Sequence, residues 1–211
     1  MRKINFLSIS VLILLNNFIF INLQSEIKNK IVVKVGESLI TSIDIQNEII
    51  TSLLIDKQEI NQENIDSKKN YAAKNLINKS IKKSEINKYE IKEYSEKDLQ
   101  NYIDSMAKNL GTNDLKKKFT QNNINYATFV ENYKIELLWN TLIYELYSSQ
   151  INVNIIEVEN EVKKNIKQNE TSEELKKIKE AILNKKKTEK LNLFSRSHFS
   201  NLENTVTVDF K

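Results

Sequence analysis

The chain is 211 residues long, with no cysteine, no proline, two glycines (Gly36 and Gly111) and a single histidine, His198. These counts exclude disulfides, thiolate metal sites, a cysteine nucleophile and a multi-histidine metal centre. Two isolated glycines also cannot build a dinucleotide or phosphate-cradling loop. The 32 basic and 28 acidic residues leave a net charge of +4. The positive charge is nearly all lysine, with Arg2 and Arg196 the only arginines. Arginine is the preferred bidentate reader of phosphates and base edges, so sequence-specific nucleic-acid binding is not expected.

Residues 1–25 open with Arg2 and Lys3 and then run without charge from Ile4 to Ser25 around the apolar stretch Val11 to Leu15. This is the layout of a secretory signal peptide. An uncleaved anchor is the alternative, since about 20 residues span a bilayer. Asn16 and Asn17 in mid-segment weigh against it. Either way the body of the protein is expected to be exported, in the periplasm or facing it.

Ile31 to Val35 alternates and is rich in β-branched residues; with the turn Gly36-Glu37-Ser38 and the return Leu39-Ile40 it predicts a β-hairpin. Thr41 and Asp44 form a capping-box pattern for a first helix with apolar positions Ile45, Ile49, Ile50, Leu53 and Leu54. Asp56 to Asn64 reads as a loop. A second helix is expected from Ile65 to Tyr89, with Ala72, Ala73, Leu76, Ile77, Ile81 and Ile86 on its stripe. Ser95 and Asp98 mark a third helix carrying Leu99, Tyr102, Ile103, Met106 and Leu110, closed by Gly111 as a left-handed cap. Thr112 restarts a short helix with Leu115 and Phe119. The run 122–125 breaks the pattern, and a long helix follows from Tyr126 to Ser149. Ile151 to Ile155 alternates and is expected to be extended. Glu157 to Lys167 is expected to be helical, 168–172 a link, Glu173 to Leu202 the last helix, and Thr205 to Phe210 a terminal strand that pairs with the first. The fold class is thus mainly α, with a short N-terminal hairpin and a C-terminal helix and strand folding back onto it.

The order of these parts resembles the core chaperone module of SurA-type periplasmic folding factors. Four stretches carry the resemblance: Val32 to Glu48 (VVKVGESLITSIDIQNE); Leu76-Ile77 with Ile81, Glu85 and Ile91; Asn122 to Leu138, with Ile124, Tyr126, Phe129, Lys134 and Glu136; and the tail, Ile178 to Phe199 with Thr205 to Phe210. Glu90 and Asn123 stand where the family often has glycine. The parvulin-type prolyl isomerase domain that the family inserts before its final helix is missing, because Ile166 and Leu175 are only a few residues apart. The resemblance implies a signal peptide at 1–25, a chaperone domain at 26–168 and a completing helix and strand at 169–211. It implies an ATP-independent chaperone, not an enzyme, that binds unfolded outer-membrane or envelope polypeptides without a cofactor, a nucleic acid or a small-molecule substrate. Membrane contact is expected only if the first segment stays uncleaved. The alternatives are a membrane-anchored envelope scaffold and an accessory subunit of a separate isomerase.

The residues that could carry chemistry are few. His198 lies near Ser195, Ser197 and Ser200 with no acid three or four positions away, so a structural role is expected. Glu157/Glu161 and Glu170/Glu173/Glu174 are read as solvated helix faces with lysine partners at i,i+4, and Lys185-Lys186-Lys187 with Lys190 as a solvated face, the alternative being a weak contact with an anionic surface. No metal-ligating or catalytic residue is assigned. The aromatic long helix is the most informative feature, because its large side chains cannot all face one way. They are core throughout, or in part they line a groove. The peptide-binding candidates are Tyr102, Met106, Phe119, Tyr126, Phe129, Tyr133, Trp139 and Tyr144; methionine and tyrosine adapt well to varied apolar segments.

Overall fold

The computed structural model describes residues 29–165 and 171–211. The expectations for 1–25 and for Ile166 to Glu170 lie outside the described residues. Strand β1 (Ile31–Val35) turns through Gly36, at φ +54°, into β2 (Ser38–Thr41). Val33 and Ile40 pair across the hairpin and bury the same face. The chain passes directly into α1 (Ser42–Ile55), where both halves of the capping box form. Asp44 N–H donates to Thr41 Oγ1 (3.3 Å), and Thr41 N–H donates to Asp44 Oδ2 (2.8 Å).

Helices α2 (Gln62–Lys88), α3 (Glu96–Asn109), α4 (Leu115–Gln121), α5 (Tyr126–Tyr147), α6 (Ile155–Asn165) and α7 (Ser172–Glu203) follow, and the described chain closes with β3 (Val208–Phe210). The protein is mainly α-helical with one three-stranded antiparallel sheet in the order β2-β1-β3. Val33 pairs with Phe210 and Val35 with Val208, so the last strand closes on the first.

Several local expectations are corrected. Helix α2 begins within the expected loop, at Gln62, because Asn61 accepts from Asn64 N–H and caps it. Asp114, not Thr112, caps α4 through Lys117 N–H. Ser95 caps α3, but Asp98 does not return the second half of the box. The long helix stops at Tyr147 in a 3₁₀ turn, Ser148–Gln150. The alternating run 151–155 forms no strand: no edge among the described residues pairs with it, and Asn154 instead accepts from Ile156 N–H to start α6. Helix α7 starts one residue early, on a second full capping box between Thr171 and Glu174. Within the expected strand 205–210 only Val208–Phe210 is ladder; Val206 packs into the core instead.

Four of the helices, α1 to α4, end alike. The residue after each cap has positive φ: Lys57 (+55°), Glu90 (+54°), Gly111 (+62°) and Asn123 (+58°). The next N–H then reaches back to the carbonyl five residues before it: Gln58 to Leu53, Ile91 to Ile86, Thr112 to Ala107 and Ile124 to Phe119. Each is a Schellman closure. Two of these reversals bring apolar residues together, Ile91 with Ile86 and Ile124 with Phe119.

The core is built in linked clusters. One joins the sheet (Val33, Val35, Ile40) to Ile81, and a second gathers Ile86, Trp139, Leu142 and Ile143. Phe199 and Leu202 of α7 pack against both. A third, Leu115, Phe119, Ile124 and Phe129, sits under α3 and the end of α1. The C-terminal helix and strand therefore supply part of the core.

Candidate functional site: a helix-walled cleft

A cleft of about 630 Å³ is lined by the α1–α2 pair, by α5 and by Tyr102 of α3. This is within the ordinary range of ligand-binding cavities. Helix α1 contributes Asp44, Asn47, Glu48, Thr51, Ser52 and Ile55, a face at helical spacing. Opposite them, α5 presents Thr128, Phe129, Asn132, Tyr133 and Glu136. Tyr71, Asn75, Lys79 and Lys82 of α2 complete the wall.

The apolar part of the cleft is an aromatic wall. The Tyr102 and Tyr133 rings are stacked with centroids 3.5 Å apart and nearly parallel, and Tyr102 lies 5.8 Å from Phe129. Burial pushes the Tyr102 phenol up to about 12, with smaller contributions from Tyr133, Glu48 and Tyr71. It is therefore a neutral hydroxyl near neutral pH. Tyr133 is raised for the same first reason.

The polar part is organised by ion pairs. Glu48, only 8 % exposed, meets Lys79 Nζ at 3.1 and 3.0 Å and accepts from Asn75 Nδ2. Lys82 Nζ lies 2.6 Å from Glu136 Oε2 and sits over the Trp139 and Phe199 rings at 5.7 and 5.8 Å. Lys82 thus ties the cleft wall to the contact where α7 docks.

Of the eight sequence candidates, Tyr102, Phe129 and Tyr133 come together in this cleft. Phe119 is fully buried and Trp139 is 2 % exposed, with its Nε1 donating to Ser195 Oγ (2.8 Å); both are core. Met106 packs into the Phe119 cluster and does not line the cleft. Tyr126 lies edge-on to Phe119 at 6.2 Å and borders a separate shallow hollow with Lys116, Thr120 and Ala127. Tyr144 is exposed but does not line the cleft. Sequence reasoning missed Tyr71, Asn47, Thr51, Asn75 and Asn132. Their only signal is a polar stripe at helical spacing, which is also what a solvated face looks like.

Tertiary structure gives His198 acidic company that its own helix does not offer at three or four positions away. Its Nδ1 shares a 2.7 Å hydrogen bond with the Tyr147 hydroxyl, and its Nε2 lies 3.3 Å from Glu85 Oε1. The group joins α7, α5 and α2 in the interior and stands outside the cleft lining. Glu161 pairs across to Lys186 (3.0 Å) and Lys185 (3.7 Å) on α7 instead of along its own helix, and Lys186 holds its carboxyl below the usual range. Glu173 does take its i,i+4 partner, Lys177 (2.9 Å), whereas Glu174 is a cap. Among the described residues no acidic or histidine group is arranged to hold a metal ion, and no helix is long and apolar enough to cross a membrane. No family model and no curated protein matches the chain.

Proposed function

We propose that this protein is an ATP-independent holding chaperone, exported to the periplasm, that binds unfolded outer-membrane and other envelope polypeptides in the cleft between α1–α2 and α5. The observation that carries the reading is the cleft itself, where a stacked tyrosine wall for apolar side chains is bordered by amides and hydroxyls that suit a peptide backbone. The ordered resemblance of the hairpin, the α5 motif and the returning tail to SurA-type factors supports it. Holding needs binding and release, not turnover, so the reading assigns no catalytic residue and no nucleotide.

Dilution of an unfolded outer-membrane barrel protein tests it by light scattering. The protein in several-fold molar excess should delay aggregation without nucleotide, and replacing both Tyr102 and Tyr133 by Ala should shorten the delay. No delay with the intact protein refutes the reading. The charge-free run Ile4 to Ser25 favours a second reading, a membrane-anchored scaffold. The N-terminal residue of the mature protein separates the two.

A further inference from the structure

We infer that the cleft selects extended polypeptide segments that carry no charge; the inference rests on the chaperone reading above and specifies its ligand. Among the described residues six charged side chains line the cleft, and each already has a partner. Asp44 is held in the capping box at the start of α1, where the helix dipole favours a carboxylate. Glu48 is held by Lys79 and Asn75, Asp56 by Lys68 at 2.6 Å, and Glu136 by Lys82 at 2.6 Å. A carboxylate entering with a ligand would lose water and find both cleft lysines already paired, and a lysine would find only carboxylates already engaged, Asp44 by the two Thr41 donors and the others by lysines; burying a charge without a free partner is strongly unfavourable.

What remains open is uncharged. The side chains of Asn47 on α1 and Asn132 on α5 make no hydrogen bond to the described residues. A primary amide offers donors and an acceptor, which matches a peptide group with one N–H and one C=O. An unfolded segment brings such unpaired backbone groups with it. The same cleft is lined by Tyr102, Tyr133 and Phe129, an apolar surface for neutral side chains.

The test is fluorescence anisotropy with the full mature chain and three labelled peptides: one of Ser, Gly, Leu and Tyr, and two in which Lys or Asp replaces both central residues. The neutral peptide should bind with a Kd that changes less than about twofold between low and high salt, a range over which the Debye length falls from about 30 to about 3 Å. Both charged peptides should bind at least about tenfold more weakly. Asn132→Asp, which adds one unmatched carboxylate, should recover the Lys peptide and not the Asp peptide. Asn47→Asp is the second variant should Asn132→Asp fail to fold by circular dichroism. Equal or tighter binding of a charged peptide, or loss of the neutral peptide with salt, overturns the inference and leaves the chaperone reading standing. If none of the three peptides binds the folded protein, both fall.

Discussion

Lys57 and Glu90 occupy the left-handed region that L-residues with a Cβ enter at a cost of roughly 1–2 kcal/mol. Both are exposed and serve as helix-ending residues, so nothing but backbone geometry is at stake. Glu90→Gly should therefore raise stability by about 1 kcal/mol, and Gly111→Ala should lower it by about as much. A Cβ at Gly111 would meet no atom within 4 Å, so that loss comes from φ alone. Thermal melts check both, with expected shifts of about 2–4 °C for a chain of this size. Tyr102 supplies a pH dependence. Its folded pKa of about 12 exceeds the ordinary value of 10.0 because burial disfavours the phenolate. The resulting stability is fully present below pH 10 and is lost as pH rises from 10 through 12. Tyr102→Phe should flatten that alkaline decline, measured as denaturation midpoints against pH.

At the level of elements, ion pairs link neighbouring helices. The Glu48–Lys79 pair joins α1 to α2, with side-chain exposures of 9 % and 14 %. Lys79→Met leaves Glu48 buried with Asn75 as its remaining partner and should cost about 3–5 kcal/mol. Replacing both members by Met should restore most of the loss, since an apolar pair of similar volume needs no desolvation of charge. Urea denaturation of the single and double variants reads the difference. The pairs Glu159–Lys179 (3.5 Å) and Glu161–Lys186 between α6 and α7 are solvated, and their removal should have little effect.

For the molecule as a whole, the decisive contact is the return of the tail. Residues 204–211 carry β3 and Val206, which cover Val33, Val35 and Ile40. Gly36 N–H donates to the Thr207 carbonyl (3.0 Å) and Lys211 N–H to the Val32 carbonyl (2.9 Å), so the tail clasps β1 from both ends. Deleting residues 205–211 strips one edge of β1 and uncovers fully buried Val33. It should lower the melting temperature in a single cooperative transition while leaving most helical signal below it. An unchanged melting curve by circular dichroism would show that the tail is ornamental.

Local chemistry was legible in the residues. The hairpin turns where Gly36 permits positive φ, and α1 starts where Thr41 and Asp44 can exchange hydrogen bonds. The returning strand was legible in part: Thr205 to Phe210 alternates like the opening one, but only Val208–Phe210 joins the ladder. Helical stripes likewise announced Ile49, Leu53 and Ile81 as interior. Each of these depends on interactions within a few residues or on a period that repeats along one element. The cleft depends on neither. Tyr102 and Tyr133 are alike in sequence to the buried Trp139 and the exposed Tyr144, and only the placement of α3 beside α5 stacks two of them as a wall. Asn47 and Asn132 resemble any solvated amide until their helices face each other. Glu85 gains His198 from a helix more than a hundred residues away. Local propensity specifies where elements begin and which face is apolar; which faces meet is decided by long-range packing and by the desolvation of buried charges such as Glu48 and Glu85, and those energies exist only once the helices have come together.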